Sequence, residues 1–151
     1  MKPNLILGLG NPLMGDDGIG WRVAESLAED PDTEVQCGGS DLLRWADQMA
    51  GRRRVILIDA MLADVSPGSV QVFEEPFPEF EVRQGNAHHL SPLQAVALLR
   101  ALSDGLSQMR FTLVTIGIAS ARLGDGLSAA LAARLPEIVD QVSTMSVAGR
   151  R

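Results

Sequence analysis

The fold is decided near the start of the chain, where residues 4–20 read NLILGLGNPLMGDDGIG. An apolar run of this length that ends in Gly-x-Gly predicts a buried parallel strand followed by a sharp turn. Residues after such a turn lie at the carboxyl edge of the sheet, where open α/β proteins bind their ligands. We therefore expect Asp16 and Asp17 to lie at a functional site.

The Gly-x-Gly at 8–10 is also found at the start of dinucleotide-binding motifs, but the spacing that follows disagrees with such a motif. Its third glycine is expected at a position that holds Leu13, and Gly15 comes two residues late. The carboxylates of Asp16 and Asp17 would repel a pyrophosphate from the helix N-terminus that should attract it. No Gly-x-x-x-x-Gly-Lys-Ser/Thr pattern occurs either. A nucleotide site is therefore disfavoured.

The composition of the chain predicts one compact domain. The chain has 151 residues, of which 46% are hydrophobic and 21% are charged. A chain of this size and composition forms a core without the help of disulfides or structural metals. We place the single α/β domain at residues 1–146 and a frayed tail at residues 147–151.

Charge and cysteine content limit the expected partners and compartment. The net charge of −6 argues against binding to nucleic acid, and the three arginines at 52–54 are typical of a solvated connection. The single cysteine, Cys37, excludes an internal disulfide and fits a reducing compartment. The N-terminal apolar run is too short for a signal peptide or a membrane span. We therefore expect a cytoplasmic protein with no membrane partner.

Patterns typical of strands and of helices alternate along the chain, which indicates a sheet covered by helices. Five predicted strands and four predicted helices fit one three-layer α/β/α domain. The strand at 69–73 alternates polar and apolar residues, so it should lie near an edge of the sheet. The strands are expected at 4–9, 33–37, 54–59, 69–73 and 111–118, and the helices at 17–29, 40–50, 92–103 and 127–145.

Two further positions bring metal-binding side chains toward the same predicted edge. Asp59 follows an apolar run and comes where its strand should end, so it is either a helix or turn cap or a residue of the site. The only histidines of the chain, His88 and His89, come just before the helix predicted at 92–103. Three separate strand ends or helix starts thus offer an aspartate or a histidine.

Asp17, Asp59 and one of the histidines form a set of two oxygens and one nitrogen, which suits nickel, zinc, iron or manganese. Three protein ligands leave positions open for water and substrate, or for docking onto a metal that a partner carries. Without a metal, the two carboxylates would repel each other and raise the pKa of one of them, as in a general acid–base pair. Cys37 and Ser40 lack the neighbours of an activated nucleophile.

Four segments resemble, in the same order, those of the hydrogenase maturation proteases, which trim the large subunits of nickel-iron hydrogenases. They are LGLGNPLMGDDGIG at 7–20, GGSDLL at 38–43, ILIDAM at 56–61 and HHLSPLQAVALLRAL at 88–102. The resemblance implies a twisted, mostly parallel five-stranded sheet between helices. It also implies an endopeptidase that removes the C-terminal extension of a large-subunit precursor after nickel insertion.

The resemblance further implies which residues act. By position, Asp17, Asp59 and His88 correspond to the residues that contact metal in the family, and we take the same three as the catalytic residues. A shift of one position would select His89 in place of His88. Asp16 is expected to cap the helix that follows it. The metal contacted is the nickel already in the substrate, so no tightly bound metal of the protein's own is expected.

The predicted partner is the hydrogenase large-subunit precursor. The acidic, proline-rich connection at 74–81 is a candidate for recognising it, and Phe73, Phe77 and Phe80 either contact the precursor or pin the connection to the core. The low aromatic content, 4%, fits a monomer. Two alternatives use the same three metal-binding side chains: a non-catalytic nickel-binding chaperone or docking module, and a self-contained metallohydrolase that holds its metal tightly.

Overall fold

The computed structural model describes residues 1–62, 66–77, 91–124 and 126–148. Within these ranges, five strands form one sheet in the order β2-β1-β3-β5-β4, and only β4 runs antiparallel to its neighbour. The predicted mostly parallel sheet, with its fourth strand at an edge, is confirmed. The strands are β1 (Asn4–Leu9), β2 (Thr33–Gly39), β3 (Arg54–Leu62), β4 (Val70–Glu74) and β5 (Arg110–Ile118).

Helices cover both faces of this sheet. The α-helices are α1 (Ile19–Ser26), α2 (Ala46–Met49), α3 (Pro92–Leu102) and α4 (Ala129–Ala148), and short 3₁₀ helices lie at Gly15–Gly18, Leu42–Trp45 and Asp104–Leu106. Because side chains alternate along a strand, Val55 and Leu57 of β3 pack with α2 and α3, whereas Ile56 and Ile58 pack with α1 and α4. The predicted three-layer α/β/α arrangement is therefore confirmed.

The strand order creates a switch point between β1 and β3. From β1 the chain passes through α1 to β2 on one side, and it returns through α2 to β3 on the other side. The two connections diverge at the carboxyl ends of β1 and β3, which is where doubly wound sheets bind their ligands. Asp17 follows β1 and Asp59 lies in β3, so the topology places both at this switch point.

β3 is longer than the sequence predicts. The prediction ends the strand at Asp59, whereas β3 continues to Leu62 because β5 pairs with it as far as Ile118. On the other side of β3, the last pair with β1 joins Gly8 and Ile58. Asp59 thus lies inside a strand, at the first position where β1 no longer covers one edge of that strand.

Two predicted helices are shorter than expected. The helix predicted at 17–29 is a 3₁₀ helix followed by α1, and α1 ends where Leu27 turns to an extended conformation and packs against the core. The helix predicted at 40–50 is a 3₁₀ helix followed by one α-helical turn. That turn stops before Gly51, whose positive φ of 80° is typical of the residue after a helix.

Helix α4 forms the end of the described part of the chain. Residues 149–151 of the predicted tail lie outside the described residues, so the domain boundary after residue 146 stays a prediction. No helix in the described ranges is both long enough and apolar enough to cross a membrane.

Candidate active site

The 3₁₀ helix at Gly15–Gly18 holds Asp17 over the end of β1. The backbone N–H of Asn11 donates to Asp17 Oδ2 at 3.0 Å, and the backbone N–H of Asp17 donates to the carbonyl of Met14 at 3.2 Å. Gly10 has a φ of +101°, and a Cβ atom there would lie 2.0 Å from the carbonyl oxygen of Asp17. The close turn that presents the Asp17 carboxylate therefore requires glycine at position 10.

Asp59 is half-buried in β3, on the side of the sheet that Val55 and Leu57 face. Its Oδ1 accepts a hydrogen bond from the backbone N–H of Ala60 at 2.9 Å. Because Ala60 belongs to the same strand, this bond caps none of the described helices. The assignment of Asp59 to the site stays a prediction.

The pKa of the Asp59 carboxyl is raised from an ordinary value of 3.8 to about 7, mainly by burial and secondly by the Asp17 carboxylate, while the hydrogen bond from the N–H of Ala60 opposes the shift. The fold thus places Asp17 and Asp59, which are far apart in the sequence, close enough for their carboxyl groups to interact. This interaction agrees with the expectation that, without a metal, two carboxylates would repel each other and raise the pKa of one. In the metal-free protein, Asp59 is therefore protonated below about pH 7.

Asp59→Asn is expected to stabilise the metal-free protein at pH 8 and to leave its stability unchanged near pH 4. Because the folded-state pKa of about 7 exceeds the unfolded value of 3.8, the wild type loses stability as the pH rises between these values. Each pKa unit corresponds to about 1.4 kcal/mol, and partial exposure to water moderates the penalty, so we expect a gain of about 2 kcal/mol at pH 8. Urea unfolding of both proteins from pH 4 to 8 measures it, and parallel curves would contradict the raised pKa.

The entry to α3 lies on the same side of the sheet as Asp59. Near the far end of α3, Arg100 donates to the carbonyl oxygens of Leu106 and Met109, and its guanidinium lies 5.0 Å from the ring centroid of Phe111. Since Phe111 is at the start of β5, α3 runs antiparallel to that strand. The first turn of α3 therefore points toward the carboxyl edge of the sheet.

α3 begins at Pro92, where the sequence predicts a helix start, and Ser91 is its N-cap. Ser91 Oγ accepts from the backbone N–H of Gln94 at 3.2 Å, and Gln94 Oε1 accepts from the backbone N–H of Ser91 at 3.0 Å. His88 and His89 precede this cap and lie outside the described residues. Among the described side chains, no three of His, Cys, Asp and Glu are grouped to hold a metal ion. The assignment of a histidine ligand therefore stays a prediction.

Asp16 does not cap α1, contrary to the prediction. The N-cap of α1 is Gly18, which has no side chain to accept a bond, and Asp16 is instead buried with its Oδ1 accepting from the backbone N–H of Ser128 at 2.7 Å. The local sequence pattern favours Asp16 as the cap of α1, but tertiary packing brings the N-terminal end of α4 within hydrogen-bonding distance of its carboxylate. No sequence pattern singles out Ser128 itself, but the glycine-rich segment RLGDGLS at 122–128 indicates a loop after β5 at this edge.

The other candidates singled out in the sequence are structural where the chain is described. Burial, with a contribution from the Glu25 carboxylate, raises the pKa of the Cys37 thiol, which therefore lacks the character of an activated nucleophile. Phe73 and Phe77 pack against the core, which supports the interpretation that they pin the acidic connection. Phe80 lies outside the described residues.

A sequence model of the family described as "HycI: Hydrogenase maturation protease" matches residues 21–145 of this chain. The matched range includes Asp59 and both histidines and begins after Asp17. The chain is 26% identical over 131 residues to protein FrxA of Pyrococcus furiosus, an alignment that covers 85% of this chain and 94% of that protein. It is 32% identical over 114 residues to hydrogenase 2 maturation protease of Escherichia coli K12, with 72% of this chain and 63% of that protein covered.

Solved structures of hydrogenase maturation proteases are also similar to this chain. The [NiFe] hydrogenase maturation protease HybD from Thermococcus kodakarensis is 32% identical and superposes with a TM-score of 0.75, with 96% of this chain and 99% of that chain covered. The hydrogenase maturating endopeptidase HybD from E. coli is 24% identical and shares the fold, with a TM-score of 0.78 over 99% of this chain and 94% of that one. The chain therefore belongs to the hydrogenase maturation protease family, a family of peptide-bond hydrolases.

Proposed function

We propose that this protein is the endopeptidase that removes the C-terminal extension of a nickel-iron hydrogenase large-subunit precursor once nickel has been inserted. The observation that carries the proposal is the electrostatic coupling of Asp17 and Asp59 at the switch point of the sheet, in a chain of this family. The similarity to proteins named hydrogenase maturation proteases supports the choice of substrate class.

We propose that Asp17, Asp59 and His88 contact the nickel of the substrate. Two carboxylates supply hard oxygen donors, and an imidazole completes a set that suits nickel. The direction of α3 supports a histidine as the third member, because this helix begins near the carboxyl edge of the sheet and both histidines precede it in the sequence. His88 is the proposed ligand and His89 is its alternative. The nickel is part of the substrate, so the enzyme itself needs no tightly bound metal.

The chemical step is the addition of water to the scissile carbonyl carbon. The carbon–nitrogen bond then breaks, and a proton passes to the leaving amine. Contact with the substrate's nickel positions the scissile bond, and the nickel polarises the water or the carbonyl oxygen. Before substrate binds, the pKa of Asp59 is about 7, so near neutral pH part of the protein already carries the carboxylate that can contact the nickel or accept a proton from this water.

Exposed leucines in the segments next to the two carboxylates support a protein substrate. Leu13, in the loop before Asp17, is 61% exposed, and Leu123 is 84% exposed in the loop whose Gly124 donates to the carbonyl of Leu13; Leu62, at the end of β3, is 54% exposed. Exposed apolar side chains that lie in adjoining segments are typical of surfaces that contact another protein. The net charge of −6 supports a partner other than nucleic acid. We propose that the protein acts in the cytoplasm, as a monomer and without a membrane partner.

The test is cleavage of a large-subunit precursor, followed by intact-mass spectrometry. We expect the wild-type protein to release a short C-terminal peptide from nickel-loaded precursor and to leave nickel-free precursor intact. His88→Ala should abolish this cleavage, whereas His89→Ala should preserve it, because one imidazole is needed for the metal contact.

Three other outcomes would change the proposal. The opposite result for the two histidine variants would move the ligand to His89 and leave the reaction unchanged. Efficient cleavage of nickel-free precursor would overturn the role of nickel. Binding of nickel-loaded precursor without any change of mass would overturn the protease and favour the docking module.

A further inference from the structure

The loop after β5 is tied to the turn that carries Asp17. This β5–α4 loop comprises residues 119–128, of which residue 125 lies outside the described residues. The backbone N–H of Gly124 donates to the carbonyl of Leu13 at 2.9 Å, and the backbone N–H of Gly15 donates to the carbonyl of Gly124 at 3.0 Å. Two segments that are more than a hundred positions apart thus pair at the edge of the candidate site.

A third and shorter hydrogen bond joins the same two segments, and its acceptor is a buried carboxylate. Asp16 is 8% exposed, and its Oδ1 accepts from the backbone N–H of Ser128 at 2.7 Å. Ser128 is the residue just before α4, and its carbonyl accepts from the backbone N–H of Ala132 in the first turn of that helix at 2.9 Å. The Asp16 carboxylate therefore meets the positive end of a 20-residue helix, and charge-assisted bonds of this kind are stronger than neutral ones.

The bond between Ser128 and Asp16 affects the candidate site because Asp16 and Asp17 are consecutive residues. Both residues lie in the same 3₁₀ helix, which restricts their relative movement. This helix also packs closely against the β5–α4 loop, since a Cβ atom at Gly15 would lie 2.9 Å from the carbonyl oxygen of Arg122. A displacement of Asp16 would therefore carry Asp17 with it. The hydrogen bond from Asn11 to Asp17 Oδ2 would be the first contact to loosen.

We propose that Asp16 is a positioning residue: its bond to Ser128 anchors the Asp17 turn to the start of α4 and holds the Asp17 carboxylate in register with Asp59. Asp16 itself contacts neither substrate nor metal in this arrangement. The consequence for catalysis rests on the proposed function, whereas the consequence for the Asp17 turn does not.

The test removes the acceptor and the donor separately. Asp16→Ala deletes the acceptor, and Ser128→Pro deletes the donor N–H through a residue outside the Asp17 turn, together with the Ser128 hydroxyl that accepts from the N–H of Leu131. We expect each to lower kcat for nickel-loaded precursor about 10- to 100-fold, and the double variant to lower it no further, because both act through one bond. Asp16→Asn keeps a side-chain oxygen that can accept, so it should restore most of the activity.

A second readout follows the Asp17 turn without any substrate. Amide hydrogen exchange at Asn11, whose N–H donates to Asp17, should accelerate at least about tenfold in Asp16→Ala and remain slow in Asp16→Asn. Val142→Ala, which truncates a buried side chain of α4, is the control for lost stability and should leave kcat and the Asn11 exchange rate unchanged below its Tm.

Unchanged Asn11 exchange in Asp16→Ala would overturn the positioning role, as would additive losses of kcat in the double variant. If wild-type protein cleaves no precursor but the exchange rates change as expected, the proposed function fails and the anchoring of the Asp17 turn stands. If cleavage occurs and the exchange rate of Asn11 is unaffected, the proposed function stands and the anchoring of the Asp17 turn fails.

Discussion

Asp17→Asn is expected to reduce cleavage of nickel-loaded precursor about 1,000-fold, while leaving the fold intact. Asparagine has nearly the same shape and keeps an oxygen that accepts from the N–H of Asn11, so the turn should persist. It lacks the negative charge that favours contact with the substrate's nickel. A factor of about 1,000 corresponds to roughly 4 kcal/mol of transition-state stabilisation, a reasonable value for a charged ligand in a metal-dependent step.

The matched control is Asp32→Asn, which removes the same charge from the opposite edge of the sheet. Asp32 is exposed, and its carbonyl accepts from the N–H of Asn4 at the start of β1. We expect wild-type rates from this variant in the same mass-spectrometric assay. In metal-free protein, Asp17→Asn should also lower the pKa of Asp59, because it removes a negative charge that raises that pKa. Equal cleavage rates for Asp17→Asn and Asp32→Asn would exclude Asp17 from the reaction.

Gly20→Ala is expected to destabilise the protein by about 3–5 kcal/mol, close to the limit of what a domain of this size tolerates. A Cβ at position 20 would lie 2.3 Å from the carbonyl oxygen of Ile58 and 2.6 Å from that of Leu9. Both contacts are with backbone, which cannot move aside without separating α1 from the ends of β1 and β3. The same glycine therefore allows the close approach that brings the Asp17 turn to Asp59.

Gly105→Ala is the control for adding a methyl group at a glycine. Its new Cβ would meet the Cβ of Ala50 at 3.7 Å, an ordinary contact distance, so stability should change by less than about 0.5 kcal/mol. Urea unfolding of the two variants and the wild type measures the difference. If Gly20→Ala unfolds at the same urea concentration as Gly105→Ala, the close packing of α1 on the strand ends does not limit stability.

The elements with strong local signals are predicted well from the sequence. β1 has the predicted bounds, because an apolar run that ends in Gly-x-Gly has one natural place to turn. The start of α3 is also as predicted, since Ser91 and Pro92 determine a helix start through contacts within one turn. The length of β3 could not be predicted in the same way, because its last three residues pair with β5, a strand that comes much later in the chain.

The sequence by itself determined the succession of strands and helices and the placement of Asp17 and Asp59 near the carboxyl edge of the sheet. These features depend on apolar periodicity and glycine turns, which act over a few residues. Only the tertiary structure decided that Asp16 bonds to Ser128, 112 positions away, and that the pKa of Asp59 rises to about 7. Both depend on burial and on charges or donors brought from distant parts of the chain, which no local pattern records.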